Sequence, residues 1–248
     1  MKSFLLALQF LTRIPVSIKG SVDENHLKMS VLYFPIVGIL IGGMLTAIAQ
    51  LEYYLPYRVA MVIVIASEAA LTGALHIDGF ADTCDGFSGG RDKNRILEIM
   101  RDSRIGSIGA LGLTILLLLK LELLSALPRT LVSETVFIMP VFSRSVQVLI
   151  CRFTQYARKE GKAKYFIGFK ENLPPLFAVI IVLSCCYVFF ENYSFSIIGI
   201  ASAPVIAFVW RIKNKIDGMT GDTIGASNEI SEITLVFTVL VLSVIGIL

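Results

Sequence analysis

Three aspartates, Asp78, Asp82 and Asp85, stand at i, i+4 and i+7. On a helix they share one face. Like charges at that spacing destabilise a bare helix, and no lysine or arginine lies between Leu71 and Gly90. A divalent cation is the economical counter-charge, which makes Asp78, Asp82 and Asp85 candidate metal ligands. Hard carboxylate oxygens near phosphate favour Mg²⁺, with Mn²⁺ as a substitute. Gly79 and Gly86 weaken the helix but admit backbone or substrate closely. Ser88-Gly89-Gly90 ends it and offers the Gly89 and Gly90 N–H groups to an anion. The competing reading, a solvated acidic loop, fits poorly with the Gly, Ala, Phe and Cys residues set among the acids.

Further polar residues surround this run. His76 lies two positions before Asp78 and is a candidate ligand, a base or a satisfied polar residue. Arg91, Arg95 and Arg101 follow it, with the fork geometry that suits phosphate. The alternative is a helix laced with ion pairs, and that reading suits Lys93 and Arg104 better. Far along the chain, Thr220-Gly221-Asp222 with Gly225 has the form of a tight turn opening a helix. Thr220 and Asp222 are therefore candidate phosphate, hydroxyl or metal contacts, against the plainer reading of a capped turn. Glu68, Lys120, Glu122, Glu134 and Arg144 are charges inside apolar stretches, where charge is expensive and tends to be functional. On one continuous helix, Glu68 shares a face with Asp82.

These residues need elements to hold them. Over half of the 248 residues are apolar and the mean hydropathy is +0.76, more than a soluble domain tolerates. Stretches near the roughly 20 residues of a spanning helix are Val31–Gln50, Tyr57–Leu75, Gly106–Leu127, Leu131–Cys151, Pro174–Phe190, Phe195–Trp210 and Ile233–Leu248. The apolar runs are continuous, so helices rather than a barrel are expected. The fold class is all-α: a polytopic membrane helix bundle of about seven spans, one domain over 1–248. Its catalytic segment is 76–105, with contributions from 152–173 and 211–232.

Lys and Arg in successive connections number 4, 1, 5, 1, 6, 0 and 3. The alternation fits seven spans with the N-terminus and the three long polar segments in the cytoplasm. Cys84, Cys151, Cys185 and Cys186 have no metal-type spacing and read as free thiols. Met1–Leu11 lacks a cleavage site and reads as a retained interfacial segment.

The run from Leu75 to Gly86, then Gly89-Gly-Arg-Asp92 and Leu97 to Gly106, resembles the signature of the cobalamin synthase family. Further resemblance lies in Phe10–Val16, Tyr33–Gly38, Tyr156-Ala-Arg158 with Glu160-Gly161, and Thr220–Ala226. Cys84 stands where that family often has Ala. The resemblance implies an inner-membrane, Mg²⁺-dependent transferase of cobalamin assembly. It would join adenosylcobinamide-GDP to α-ribazole, or its 5′-phosphate, and release GMP. In that chemistry, alignment and charge neutralisation dominate. His76 or Asp82 would orient the hydroxyl, Arg91 and Arg95 would grip the leaving phosphate, and Asp222 with Thr220 would complete the pocket. Corrinoid and ribazole substrates, the lipid bilayer and other membrane-associated enzymes of cobalamin assembly are the implied partners; nucleic acid is not among them. The run is also similar to CDP-alcohol phosphotransferases, but lacks their Ala-Arg after the Asp-Gly pair. An ion or metabolite transporter would place its acids nearer the bilayer midplane.

Overall fold

The computed structural model describes all 248 residues, the Lys162 side chain excepted. It is helical throughout. Two short N-terminal helices, α1 (Lys2–Leu11) and α2 (Glu24–Ser30), precede α3 (Phe34–Ala49), α4 (Tyr57–Thr72), α5 (Leu75–Gly89) and α6 (Lys93–Ile99). Then come α7 (Ser107–Ala126), α8 (Arg129–Phe153), α9 (Leu173–Phe190), α10 (Ser194–Ile216) and α11 (Gly221–Val244). Among the described residues the only β pairing is an isolated parallel bridge between Tyr156 and Met219.

Five stretches are long and apolar enough to cross a bilayer: Glu24–Tyr53, Ser107–Ala126, Arg129–Phe153, Leu173–Ile216 and Gly221–Val244. Two places decide how these stretches compare with the expected seven spans. At 16 residues, α4 is about 24 Å long, short for a crossing; it qualifies only together with α5, from which it is bent by 91°. The 44-residue stretch Leu173–Ile216 is interrupted at Glu191, whose φ of 45° and ψ of −125° stop α9 before α10 begins, so it holds two helices where the sequence places two. The corner between α4 and α5 also overturns the expectation that Glu68 and Asp82 share a face. Gly73 and Ala74 both adopt left-handed conformations there, so the helix does not continue.

The last helix extends beyond its apolar stretch. That stretch begins at Ile233, but the helix that carries it begins at Gly221, at the turn the Thr220-Gly221-Asp222 pattern marks. Its first half is polar yet buried: Thr223, Ser227, Asn228, Glu229, Ser231 and Glu232 are all nearly inaccessible. Elsewhere in the bundle, small residues let helices approach closely. On α3, Gly38 lies against Pro140 of α8, where an added Cβ would sit 2.6 Å from the Pro140 carbonyl oxygen, and Gly42 meets Phe137. The small-xxx-small spacing of Gly38 and Gly42 is a known device for close helix packing in membranes.

The two ends of the bundle differ. At one end Tyr57 donates to the carbonyls of Leu124 and Leu127, and Arg58 pairs with Glu122. At the other end α5, the 154–168 segment and the start of α11 converge. Both Tyr156–Met219 bridge bonds are 2.9 Å long and tie two of these three segments together.

Candidate functional site

The site is built where α5 crosses the start of α11. Thr220 caps α11, with its hydroxyl accepting from the Thr223 N–H and the Thr223 hydroxyl accepting from the Thr220 N–H. This reciprocal cap opens the helix so that Asp222 falls in its first turn, the favourable place for a carboxylate. Gly79 of α5 lies directly against Asp222: a Cβ there would come 2.7 Å from the Asp222 carbonyl oxygen. Gly225 faces the His76 backbone in the same way. The two glycines thus bring Asp78 and Asp82 up to Asp222. Asp82 is half-buried and lies within the fields of Asp222 and Asp78, with Arg158 opposing them.

Arg158 comes from the segment fastened to Met219. Its Nη2 stands 2.9 Å from Asp222 Oδ2. The approach is a charge contact rather than an aligned hydrogen bond, because Arg158 Nε and Nη2 are buried with no hydrogen-bond partner. Tyr156, two residues earlier, has its phenol pKa raised by burial, while Arg158 works against the rise. A cavity of about 310 Å³ opens here. Asp78, Asp222, Arg158 and Tyr156 line its polar side, Phe10, Phe34 and Phe166 its aromatic side, and His76 with Gln147 its depth.

The remaining expected site residues lie elsewhere or are already engaged. Asp85 accepts from the N–H groups of Gly106 and Gly109, both at 2.7 Å. Its two oxygens therefore cap α7, and it does not face Asp222. The His76 ring is buried, with Nδ1 3.4 Å from Arg144 and Nε2 2.9 Å from Gln147. Thr220 is fully buried and spends its hydroxyl on the cap. Arg95 pairs with Glu98 at 2.8 Å, and with Gly89 it lines a separate groove. The Gly90 N–H is taken by the Gly86 carbonyl. Arg91 and Arg101 are exposed. Arg104 holds Asp102, whose pKa is lowered to about 2 by that contact.

The carboxylates that bear on one another here are those of Asp78, Asp82 and Asp222. Among the described residues, no group of three or more acidic, His or Cys side chains is placed to hold a metal ion by itself. Mg²⁺ commonly takes one or two carboxylates and completes its shell with substrate phosphates and water, so an incomplete protein shell of this kind suits it.

Beneath the cavity lies a buried ionic cluster. Lys120 of α7 meets Glu68 at 2.7 Å, Glu232 at 2.5 Å and Glu229 at 3.3 Å. Arg144 of α8 pairs with Glu232, which also accepts from Ser143 at 2.9 Å and Asn228 at 3.0 Å. Of the charges expected inside apolar stretches, Glu68, Lys120 and Arg144 join this cluster. Glu122 is exposed and Glu134 lies outside it. Sequence reasoning missed the contributions of Glu229, Glu232, Gln147 and Arg158; only Arg158 carried a signal, through the Tyr156-Ala-Arg158 motif.

The family model described as Cobalamin-5-phosphate synthase matches residues 3–241. The chain belongs to the cobalamin-5-phosphate synthase family. The match to this family spans all three segments that build the site. An adenosylcobinamide-GDP ribazoletransferase from Clostridium botulinum (strain 657 / Type Ba4) is 37% identical over 245 residues, 98% of each chain. A protein of the same name from Fusobacterium nucleatum is 37% identical over 273 residues, again 98% of each chain. A third, from Thermoanaerobacter sp. (strain X514), is 36% identical over 236 residues, 94% of each chain. No solved structure matches. A whole-length match to the cobalamin-5-phosphate synthase family favours that reading over the phospholipid-enzyme and transporter alternatives.

Proposed function

We propose that the protein joins α-ribazole, or its 5′-phosphate, to adenosylcobinamide-GDP and releases GMP. The relatives' names support the substrate pair. The observation that carries the chemistry is the convergence of Asp78, Asp222 and Arg158 on one cavity end, with Asp82 beside them in their field. A ribazole hydroxyl attacks the phosphorus attached to the cobinamide side. The new P–O bond forms as the bond from that phosphorus to the bridging oxygen breaks, and its electrons leave with GMP.

Asp82 receives the hydroxyl proton. It is favoured over His76 for this role because both His76 ring nitrogens already have partners inside the protein. Arg158 grips the leaving phosphate: it lines the cavity beside Asp222, its Nε has no hydrogen-bond partner, and a guanidinium fork matches phosphate oxygens; Arg91, Arg95 and Arg101 do not line the cavity. Asp78, Asp82 and Asp222 would hold Mg²⁺, which when bound supplies neutralisation of the charge on the diphosphate. Asp85 serves the same end indirectly, by fixing α7 against α5. The alternation of basic residues between connections supports placing this end of the bundle on the cytoplasmic side of the inner membrane, where nucleotide substrates occur.

The test is GMP release from adenosylcobinamide-GDP and α-ribazole by protein-bearing membranes, with Mg²⁺ and after chelation. Release should require the cation and fall at least about 100-fold in Asp82→Asn and Asp222→Asn at equal protein levels. Turnover unaffected by both substitutions would falsify the assignment.

A further inference from the structure

The cavity holds one buried polar group that the proposed chemistry leaves unexplained. Gln147 is only 2% exposed and lines the cavity, yet its Oε1 has no hydrogen-bond partner. The cluster below determines how this amide must lie. A guanidinium has donors only. Arg144, locked by Glu232 and Ser143, therefore makes His76 Nδ1 an acceptor, and the ring proton sits on Nε2. That Nε2–H meets the Gln147 amide at 2.9 Å and needs an oxygen there. The two ends of a carboxamide exchange by a half-turn. With the oxygen toward His76, Oε1 is satisfied, and the NH₂ takes the unpartnered place, in a side chain that lines the cavity. The chain Glu232–Arg144–His76–Gln147 thus gives the cavity a fixed donor in its depth.

Above this donor the walls are aromatic. Phe10 of α1, Phe34 of α3 and Phe166 of the 154–168 segment stand with ring centroids 4.6–6.1 Å apart. The three rings pack on one another and form one aromatic wall of the cavity, against which a flat aromatic guest can lie by stacking or edge contact. A volume of about 310 Å³ is at the small end of ligand pockets: room for a nucleoside, not for a corrin ring.

We propose that this cavity is the acceptor-nucleoside subsite, and that the Gln147 NH₂ donates to the free ring nitrogen of a benzimidazole-type base. Such a base is bonded to ribose through one ring nitrogen and keeps the other as a lone-pair acceptor. Seated against the wall formed by Phe10, Phe34 and Phe166, it leaves its ribose beside Asp78 and Asp222. The inference rests on the proposed function for the identity of the nucleoside. Gln147 and His76 are then positioning and specificity residues rather than catalytic ones.

The experiment measures binding of α-ribazole to purified protein in detergent by fluorescence, alongside an analogue whose free ring nitrogen is replaced by C–H. The intact protein should prefer α-ribazole by roughly tenfold or more, the value of one buried hydrogen bond that the analogue leaves unmade. Gln147→Leu should bind both alike. In turnover it should raise KM for α-ribazole while leaving KM for adenosylcobinamide-GDP unchanged. Gln147→Glu keeps an oxygen for His76 but offers the cavity no amide donor, so it too should lose the preference; it serves if the leucine variant does not fold. Equal binding of the two nucleosides by the intact protein, or a preference retained in both variants, overturns the subsite. Discrimination in binding without any GMP release in the wild type would instead overturn the reaction and leave the subsite standing.

Discussion

At the residue scale, the three aspartates of α5 that look equivalent in sequence have different tasks. Their i, i+4, i+7 spacing is real, and α5 spans Leu75–Gly89. What spacing does not show is the partner each carboxylate meets. Asp78 and Asp82 meet α11, whereas Asp85 turns to the start of α7 and accepts from two backbone N–H groups. A carboxylate at a helix N-terminus is stabilised by those donors and by the helix dipole. Asp85→Ala should therefore lower stability by about 1–2 kcal/mol, seen as a lower melting temperature in detergent. Asp82→Asn should melt at or above the wild-type temperature, because it removes one charge from a crowd of three. Equal melting of Asp85→Ala and wild type would sink the capping role.

At the element scale, the site depends on how closely α5 and α11 approach. Gly79→Ala sets a Cβ 2.7 Å from one backbone atom of Asp222 and 2.9 Å from another. Backbone on the far side has nowhere to retreat, so the helices must part. We expect a loss of about 1–3 kcal/mol, the usual range for overpacking, and a larger fractional loss of GMP release, since Asp222 moves with its helix. Gly43→Ala is the matched control: no atom lies within 4 Å of its added Cβ, and both readouts should stay at wild-type values. If Gly79→Ala behaves like this control, the close crossing does not position the site. The sequence carried this crossing in part. Gly79 stood out as a place of close approach, and the Thr220-Gly-Asp turn announced a helix start. It did not carry the corner at Gly73–Ala74, because alanine gives no sign that it will adopt a left-handed conformation. Nor did it carry the burial of the polar first half of α11, because Asn228, Glu229 and Glu232 read as a polar connection until their partners on α4, α7 and α8 are known.

At the scale of the whole molecule, charge is sorted twice. Basic residues alternate between the two ends, which the sequence alone displays. Charge is also gathered in the interior, which it does not: Glu68, Lys120, Arg144, Glu229 and Glu232 stand up to 164 positions apart (Glu68 to Glu232) and meet in a single cluster. Three carboxylates face two cations there, with Lys120 touching all three acids. Removing one member of a buried ion pair leaves the others uncompensated, at about 3–5 kcal/mol. Lys120→Met should therefore be strongly destabilising, with little folded protein recovered from membranes. Because the damage comes from surplus negative charge, adding Glu68→Gln to Lys120→Met should restore part of it, a coupling that a double-mutant cycle measures directly. Simple additivity would mean that Lys120 matters for its packing and not its charge. The cluster would then be no more than filling between helices, and the fixed orientation of Arg144, on which the donor at Gln147 depends, would need another cause.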